Sequence, residues 1–178
     1  QTFHDFELII VNDASTDPKV GAVVRSYTDD RIRYYVNEHN LGISATRNRL
    51  LELAQGEYLA VMDHDDYSLP ERFAKQAAYL DAHPDVGVVS CRVEYVGDKS
   101  GIGRYPVEDG DIRIALMDLC AVVHSASMIR KQVLREANLR YEEEFSPAED
   151  YALWCRLIPH TRFHNLPEVL FRYRWHES

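Results

Sequence analysis

The chain has 178 residues, 46% of them apolar and 28% charged, with a formal net charge of −9. That length suits one domain with a proper core, and the composition is that of an ordinary globular protein. The acidity excludes a general grip on nucleic acid, which needs clustered Lys and Arg, so a phosphate-bearing ligand must be held by metal or by a few local basic groups. No run approaches 18 apolar residues and the N-terminus carries no signal-peptide pattern. The visible chain therefore reads as soluble and cytoplasmic, and a fuller protein can still carry membrane segments. Cys91, Cys120 and Cys155 are widely spaced and form no CxxC pair, which reads as buried reduced thiols.

Residues 6–11 (FELIIV) predict a buried strand, with almost no lead-in, ending in a polar turn at Asn12–Pro18 that starts a helix to about Tyr27. Residues 32–36 predict a second short strand. Apolar residues at Ile43, Leu50, Leu51 and Ala54 predict a helix with Ser44 as cap and Gly56 as stop. A strand over 57–62 follows, and then three carboxylates within four residues: Asp63, Asp65 and Asp66. Pro70 opens a helix with a buried stripe of Phe73, Ala77 and Leu80, and Pro84 lies beyond its end. Residues 86–96 predict a strand and 97–110, with their glycines, a mobile loop. A short helix (111–119), a strand (121–129), a helix (131–138), an acidic loop (141–149), a helix (150–157) and a last strand (169–173) complete the chain. Strands alternating with helices in the first half indicate a doubly wound, mainly parallel sheet.

Ligands of α/β sheets collect beyond the carboxyl ends of strands, and the DHDD cluster stands at such an end. Clustered oxygen ligands suit Mg²⁺ or Mn²⁺ shared with substrate phosphates. His64 points away as a neighbour. Asp13, past the first strand, suits a base N–H or ribose hydroxyl, with a plain turn or helix cap as the alternative. Asp150 begins a helix whose dipole keeps a carboxylate ionised, so it is either a cap or a general base, with Glu149 beside it. Arg47 suits a phosphate or an acidic side chain. His176 follows the last strand on a tail, either as a plain surface residue or as an imidazole that can swing in as a metal ligand.

The segments FELIIVNDASTD, NLGISATRN, GEYLAVMDHDD with Pro70, SASMIRKQVL, PAEDYALWCRL and FRYRWH, in that order, resemble the family 2 glycosyltransferases of the GT-A fold. The resemblance implies an α/β domain with a Rossmann-like mixed, mainly parallel sheet flanked by helices. It covers residues 1–178 as one catalytic domain, 1–96 being the nucleotide-binding half and 97–178 the acceptor-binding half. Relatives place a further strand and loop ahead of Gln1, so the first strand is expected to be missing here. The SASM segment also lacks a glycine often found there.

It further implies inverting transfer from a nucleotide-diphosphate-sugar, a UDP-sugar in the first instance, to a sugar or glycolipid acceptor hydroxyl, in polysaccharide or glycoconjugate biosynthesis. Asp13 matches the nucleoside-contacting carboxylate, and Asp63 and Asp65 match the DxD pair, Asp65 as metal ligand and Asp63 nearer the ribose. Asp150 matches the catalytic base, Glu149 an acceptor contact, Arg47 a donor contact, and His176 a C-terminal metal ligand for Mg²⁺ or Mn²⁺. No nucleic-acid partner is expected, and peripheral association with the cytoplasmic face of a membrane is compatible with it. A nucleotidyltransferase or sugar-phosphate hydrolase would use similar carboxylates, marked by a Gly-rich basic N-terminal loop that is not visible. A non-catalytic nucleotide-sugar-binding fragment is the remaining alternative.

Overall fold

A computed structural model describes residues 1–176. The chain folds as two compact units interleaved in sequence, one of residues 1–4, 57–139 and 153–178, the other of residues 5–56 and 140–152. This division follows packing, whereas the expected halves 1–96 and 97–178 follow chemistry.

The smaller unit is built on β1 (Leu8–Asn12) and β2 (Ile32–Val36), which pair in parallel with Leu8 opposite Ile32 and Asn12 opposite Val36. Parallel neighbours need a crossover, and α1 (Lys19–Arg25) supplies it. Helix α2 (Ile43–Leu53) follows β2. Its cap is Gly42, not Ser44: Gly42 holds φ 84°, a left-handed value that a Cβ would strain. Ser44 is buried inside the first turn, where its hydroxyl donates to the Glu142 carbonyl at 3.4 Å. The Glu7 carboxylate ties the start of β1 to the end of α2, accepting from the Gln55 N–H at 2.5 Å and from Arg33. The expected acidic loop of 141–149 contains a 3-10 turn at Glu143–Phe145 and leads into α6 (Glu149–Leu157).

In the larger unit a six-stranded sheet runs β3-β7-β5-β8-β4, with β6 added beside β5. These are β3 (Tyr58–Ala60), β4 (Tyr67–Ser68), β5 (Val86–Gly97), β6 (Gly101–Ile102), β7 (Met128–Arg130) and β8 (Arg162–Trp175). Helices α3 (Arg72–Ala82), α4 (Asp109–Ala115) and α5 (Lys131–Glu136) connect them. The first six residues of β5 (VGVVSC) are buried, the apolar run expected of a strand covered on both faces.

The mixed α/β architecture matches the expectation and most paired residues lie in parallel ladders, although the short strand pairings around them are antiparallel. Only β1·β2 and β5·β8 are parallel, while β3·β7, β5·β7, β5·β6 and β4·β8 are antiparallel. The reason lies in the connections. Three residues join β5 to β6, too few for a crossover, and the two-residue β4 returns against β8. The 97–110 segment accordingly holds β6 and the start of α4. Gly97 makes that hairpin possible: φ is 99°, and a Cβ would lie 2.5 Å from the Trp175 carbonyl oxygen. Cys91 is buried as expected, whereas Cys120 is exposed, and none of the three is in a disulfide among the described residues.

Helix α3 keeps Ala77 and Leu80 in the core, but its deepest residue is a cation. Arg72 is fully buried, and its two terminal nitrogens donate to the carbonyls of Ser125 (2.8 Å) and Val61 (2.9 Å). Its guanidinium also lies over the rings of Phe73 and Phe171. Burial lowers its pKa to about 10, so it remains protonated at neutral pH. It fastens the exit of β3, where the acidic cluster begins, to the turn before β7. Replacing Arg72 by Met strands both buried carbonyls and is expected to cost roughly 3 kcal/mol in urea unfolding. A loss below about 1 kcal/mol would show that Arg72 is not this fastening.

Candidate functional site

The acidic cluster of the larger unit is a turn held to the end of β8. Asp66 is 6% exposed, and its Oδ1 accepts the Arg174 N–H at 2.7 Å. Burial is the largest influence on this carboxyl and pushes it up, with the Arg174 amide acting in the opposite direction. Arg174 returns the contact twice, Nε donating to the Asp65 carbonyl at 3.1 Å and a terminal nitrogen donating to the Tyr67 hydroxyl at 2.8 Å. Tyr67 pairs with Arg172 and Ser68 with Phe171, which sets the register of the tail against the turn. His176, two residues past Arg174, thereby faces Asp65, with Nε2 and Oδ2 3.1 Å apart. Asp63 precedes them in the same turn, where its carbonyl accepts the Asp66 N–H at 3.4 Å.

Asp65 and His176 are thus brought together. Among the described residues no three His, Cys, Asp or Glu side chains converge as a ready metal cage. A carboxylate and an imidazole nonetheless suit a divalent ion that completes its sphere with substrate phosphates and water, and Mn²⁺ accepts both ligand types. The residues fit the group. Asp66 was expected as one of the clustered carboxylates, but its bond to the Arg174 backbone was not. Its signal is faint: an acid and a base 108 positions apart, meeting through one backbone bond.

In the smaller unit Asp13 organises the loop before α2. Its Oδ1 accepts from the Leu41 N–H (2.9 Å) and the Asn37 amide (2.5 Å), and its Oδ2 accepts from the Gly42 N–H (3.0 Å). Burial acts to raise this carboxyl, but the Leu41, Asn37, Thr46 and Gly42 donors together outweigh it and hold the pKa below the usual value. Asp13 is therefore an ionised carboxylate at the N-terminus of α2, capping a helix other than the one that follows its own turn.

One face of α2, at positions i, i+3 and i+4, carries Ser44, Arg47 and Asn48 toward residues 140–149. Asn48 bonds the Tyr141 backbone in both directions, at 2.7 and 2.9 Å. Arg47 donates to Glu149 Oε1 at 2.5 Å and lies over the Tyr141 ring, 5.6 Å from its centroid. Glu149 is only 3% exposed. The two residues expected to meet donor and acceptor are engaged with each other. Asp150 stands next in the first turn of α6, its Oδ1 accepting the Tyr151 N–H at 2.7 Å.

The family model for glycosyl transferase family 2 matches residues 1–137. The chain belongs to that family. It is 31% identical over 183 residues to an uncharacterised glycosyltransferase of Methanocaldococcus jannaschii, covering 98% of this chain and 62% of the relative. It is 30% identical over 178 residues to the amylovoran biosynthesis glycosyltransferase AmsE of Erwinia amylovora, covering 98% and 66%. Less than two thirds of either relative is therefore spanned. Among solved structures, S. aureus TarS 1–349 in complex with UDP-GlcNAc superposes with a TM-score of 0.81 at 23% identity, over 98% of this chain and 51% of TarS 1–349. The mannosyltransferase PcManGT of Pyrobaculum calidifontis, in complex with GDP-Man and Mn²⁺, gives 0.68 at 20% identity, over 94% and 47%. The fold is that of the GT-A glycosyltransferases.

Asp13 also predicts a pH dependence. The folded carboxylate holds its proton less tightly than the unfolded chain does, so its stabilisation is complete above the ordinary carboxylate range and is lost as the pH falls through the folded value. An Asp13→Asn variant should be less stable than the parent at pH 7, and the gap should close in acid, as read by denaturant titration at several pH values. A gap that stays constant would deny the ionised role.

Proposed function

We propose that this domain moves a sugar from a nucleotide-diphosphate-sugar to an acceptor hydroxyl with inversion at the anomeric carbon. The observation that carries the reading is the Asp65–His176 pair, 3.1 Å apart in a chain of family 2. Asp65 and His176 would hold Mg²⁺ or Mn²⁺, with Asp63 on the ribose side. A divalent ion there supplies charge neutralisation to the departing diphosphate. Asp13, held ionised, would accept from the nucleoside base. Asp150 would take the proton of the acceptor hydroxyl as the oxygen bonds to the anomeric carbon and the bond to the diphosphate breaks. Attack from the face opposite the leaving group inverts the centre.

Residues 1–96 would carry donor contacts and 97–178 acceptor contacts. A UDP-sugar is the favoured donor, in keeping with TarS in complex with UDP-GlcNAc and with UDP, although PcManGT is in complex with GDP-Man. Relatives named for amylovoran and O-antigen biosynthesis support a role in polysaccharide or glycoconjugate assembly. The acceptor would then be a sugar or glycolipid, met in the cytoplasm or at the cytoplasmic face of a membrane. No helix among the described residues is long and apolar enough to cross one.

Calorimetry on the full-length protein tests this with UDP, GDP and dTDP, each with and without Mn²⁺. One nucleotide should bind in a Mn²⁺-dependent way, and Asp65→Asn should weaken that binding about tenfold or more. Asp150→Asn should keep nucleotide binding and lose transfer by about 10²-fold or more. Metal-independent binding would remove the metal role, and full transfer by Asp150→Asn would remove the base.

A further inference from the structure

We infer that Arg47 and Glu149 are a positioning pair for Asp150 and touch neither donor nor acceptor. The inference rests on the proposed role of Asp150 as base. Glu149 and Asp150 are adjacent carboxylates in the first turn of α6, and Glu149 is buried. A buried carboxylate beside a second one is costly unless a cation stands against it. Arg47 is that cation, and its own exposure is small, 16% for the side chain. Glu149 Oε2 is buried with no hydrogen-bond partner among the described residues, so the Arg47 contact at Oε1 carries the compensation.

The cation is itself held in place. Tyr141, 3% exposed, presents its ring to Arg47, while the next residue of α2, Asn48, clamps the Tyr141 backbone from both sides. Ser44 reaches the same segment one turn earlier, at the Glu142 carbonyl. The first turn of α6 is therefore tethered to α2 through the residue immediately before Asp150. Asp150 is itself fixed in that first turn, its Oδ1 accepting the Tyr151 N–H. Loss of Arg47 leaves the Glu149 charge uncompensated, and the turn that carries the base must shift or take in water.

The test separates this role from a donor contact. In the full-length protein with Mn²⁺, UDP binding is measured by calorimetry, and turnover as UDP release from whichever sugar of a UDP-sugar panel, UDP-GlcNAc included, the parent consumes fastest. Arg47→Met should lower kcat about 100-fold, the cost of a misplaced catalytic group. Its UDP affinity should stay within about twofold, since no ground-state contact is lost. Adding Glu149→Gln should restore most of the turnover, because the uncompensated charge is then gone. A donor-binding Arg47 gives the reverse: weakened UDP binding that Glu149→Gln does not rescue. Parental turnover in Arg47→Met also overturns the inference. If Arg47→Met does not fold by circular dichroism, the Arg47→Met/Glu149→Gln double variant decides: folded and active supports the pair, folded and inactive overturns it. A parent protein that consumes no nucleotide-sugar removes the proposed function itself, and this inference with it.

Discussion

The hydrogen bond from the Arg174 N–H to Asp66 Oδ1 orders the acidic turn of the larger unit. It fastens the last turns of β8 to a loop that otherwise holds three mutually repelling carboxylates. Two consequences follow from one bond. The β4·β8 register is closed off at its end, and the residue two places further, His176, is delivered opposite Asp65. Behind it, Arg72 fixes the exit of β3 through two carbonyls, and its charge only partly offsets the burial that pushes the Asp66 carboxyl up. Asp66 thus supports the turn that sets Asp65 opposite His176. Its burial marks it as support for the turn, whereas Asp65 remains partly exposed for a ligand.

The smaller unit uses acidic residues in the same way. Glu7, Asp13 and Glu149 each lose solvent and gain specific donors: two backbone amides and Arg33 for Glu7, two backbone amides and Asn37 for Asp13, and Arg47 for Glu149. For Glu7 and Asp13 the donors outweigh burial and hold the carboxyl below its ordinary value. Part of the −9 net charge is therefore structural, spent on ordering loops before and after α2. The Glu7 and Asp13 carboxylates are thereby already ionised and already oriented.

Local patterns made much of this legible. The runs expected as strands at 6–11, 32–36 and 86–96 became Leu8–Asn12, Ile32–Val36 and Val86–Gly97, and of the expected stripe Ala77 and Leu80 are buried on α3 with Phe73 partly so. What was missed has identifiable causes. The first half of β8 was hidden by Pro167, which a continuous strand excludes; the structure absorbs it in an irregularity, since Cys91 pairs with Leu166 and Arg92 with Val169. The strand expected at 121–129 shrank to Met128–Arg130 because a 3-10 turn occupies His124–Ala126. Ser44 looked like a cap by residue type, but Gly42 alone accommodates the required φ. The Arg47–Glu149 pair joins residues 102 positions apart, and no local pattern encodes such a pairing. Motif order singled out the carboxylates, while their hydrogen bonds decide which are buried in the fold and which stay exposed.

Whether Asp65 and His176 hold a metal can be tested with Mn²⁺. Pulsed electron paramagnetic resonance on the full-length protein with Mn²⁺ and UDP reports nitrogen nuclei coordinated to the metal. The structure predicts modulation from a single imidazole nitrogen that disappears in His176→Ala while the metal stays bound through Asp65. Mn²⁺ bound with UDP in the parent protein and showing no nitrogen coupling would contradict it.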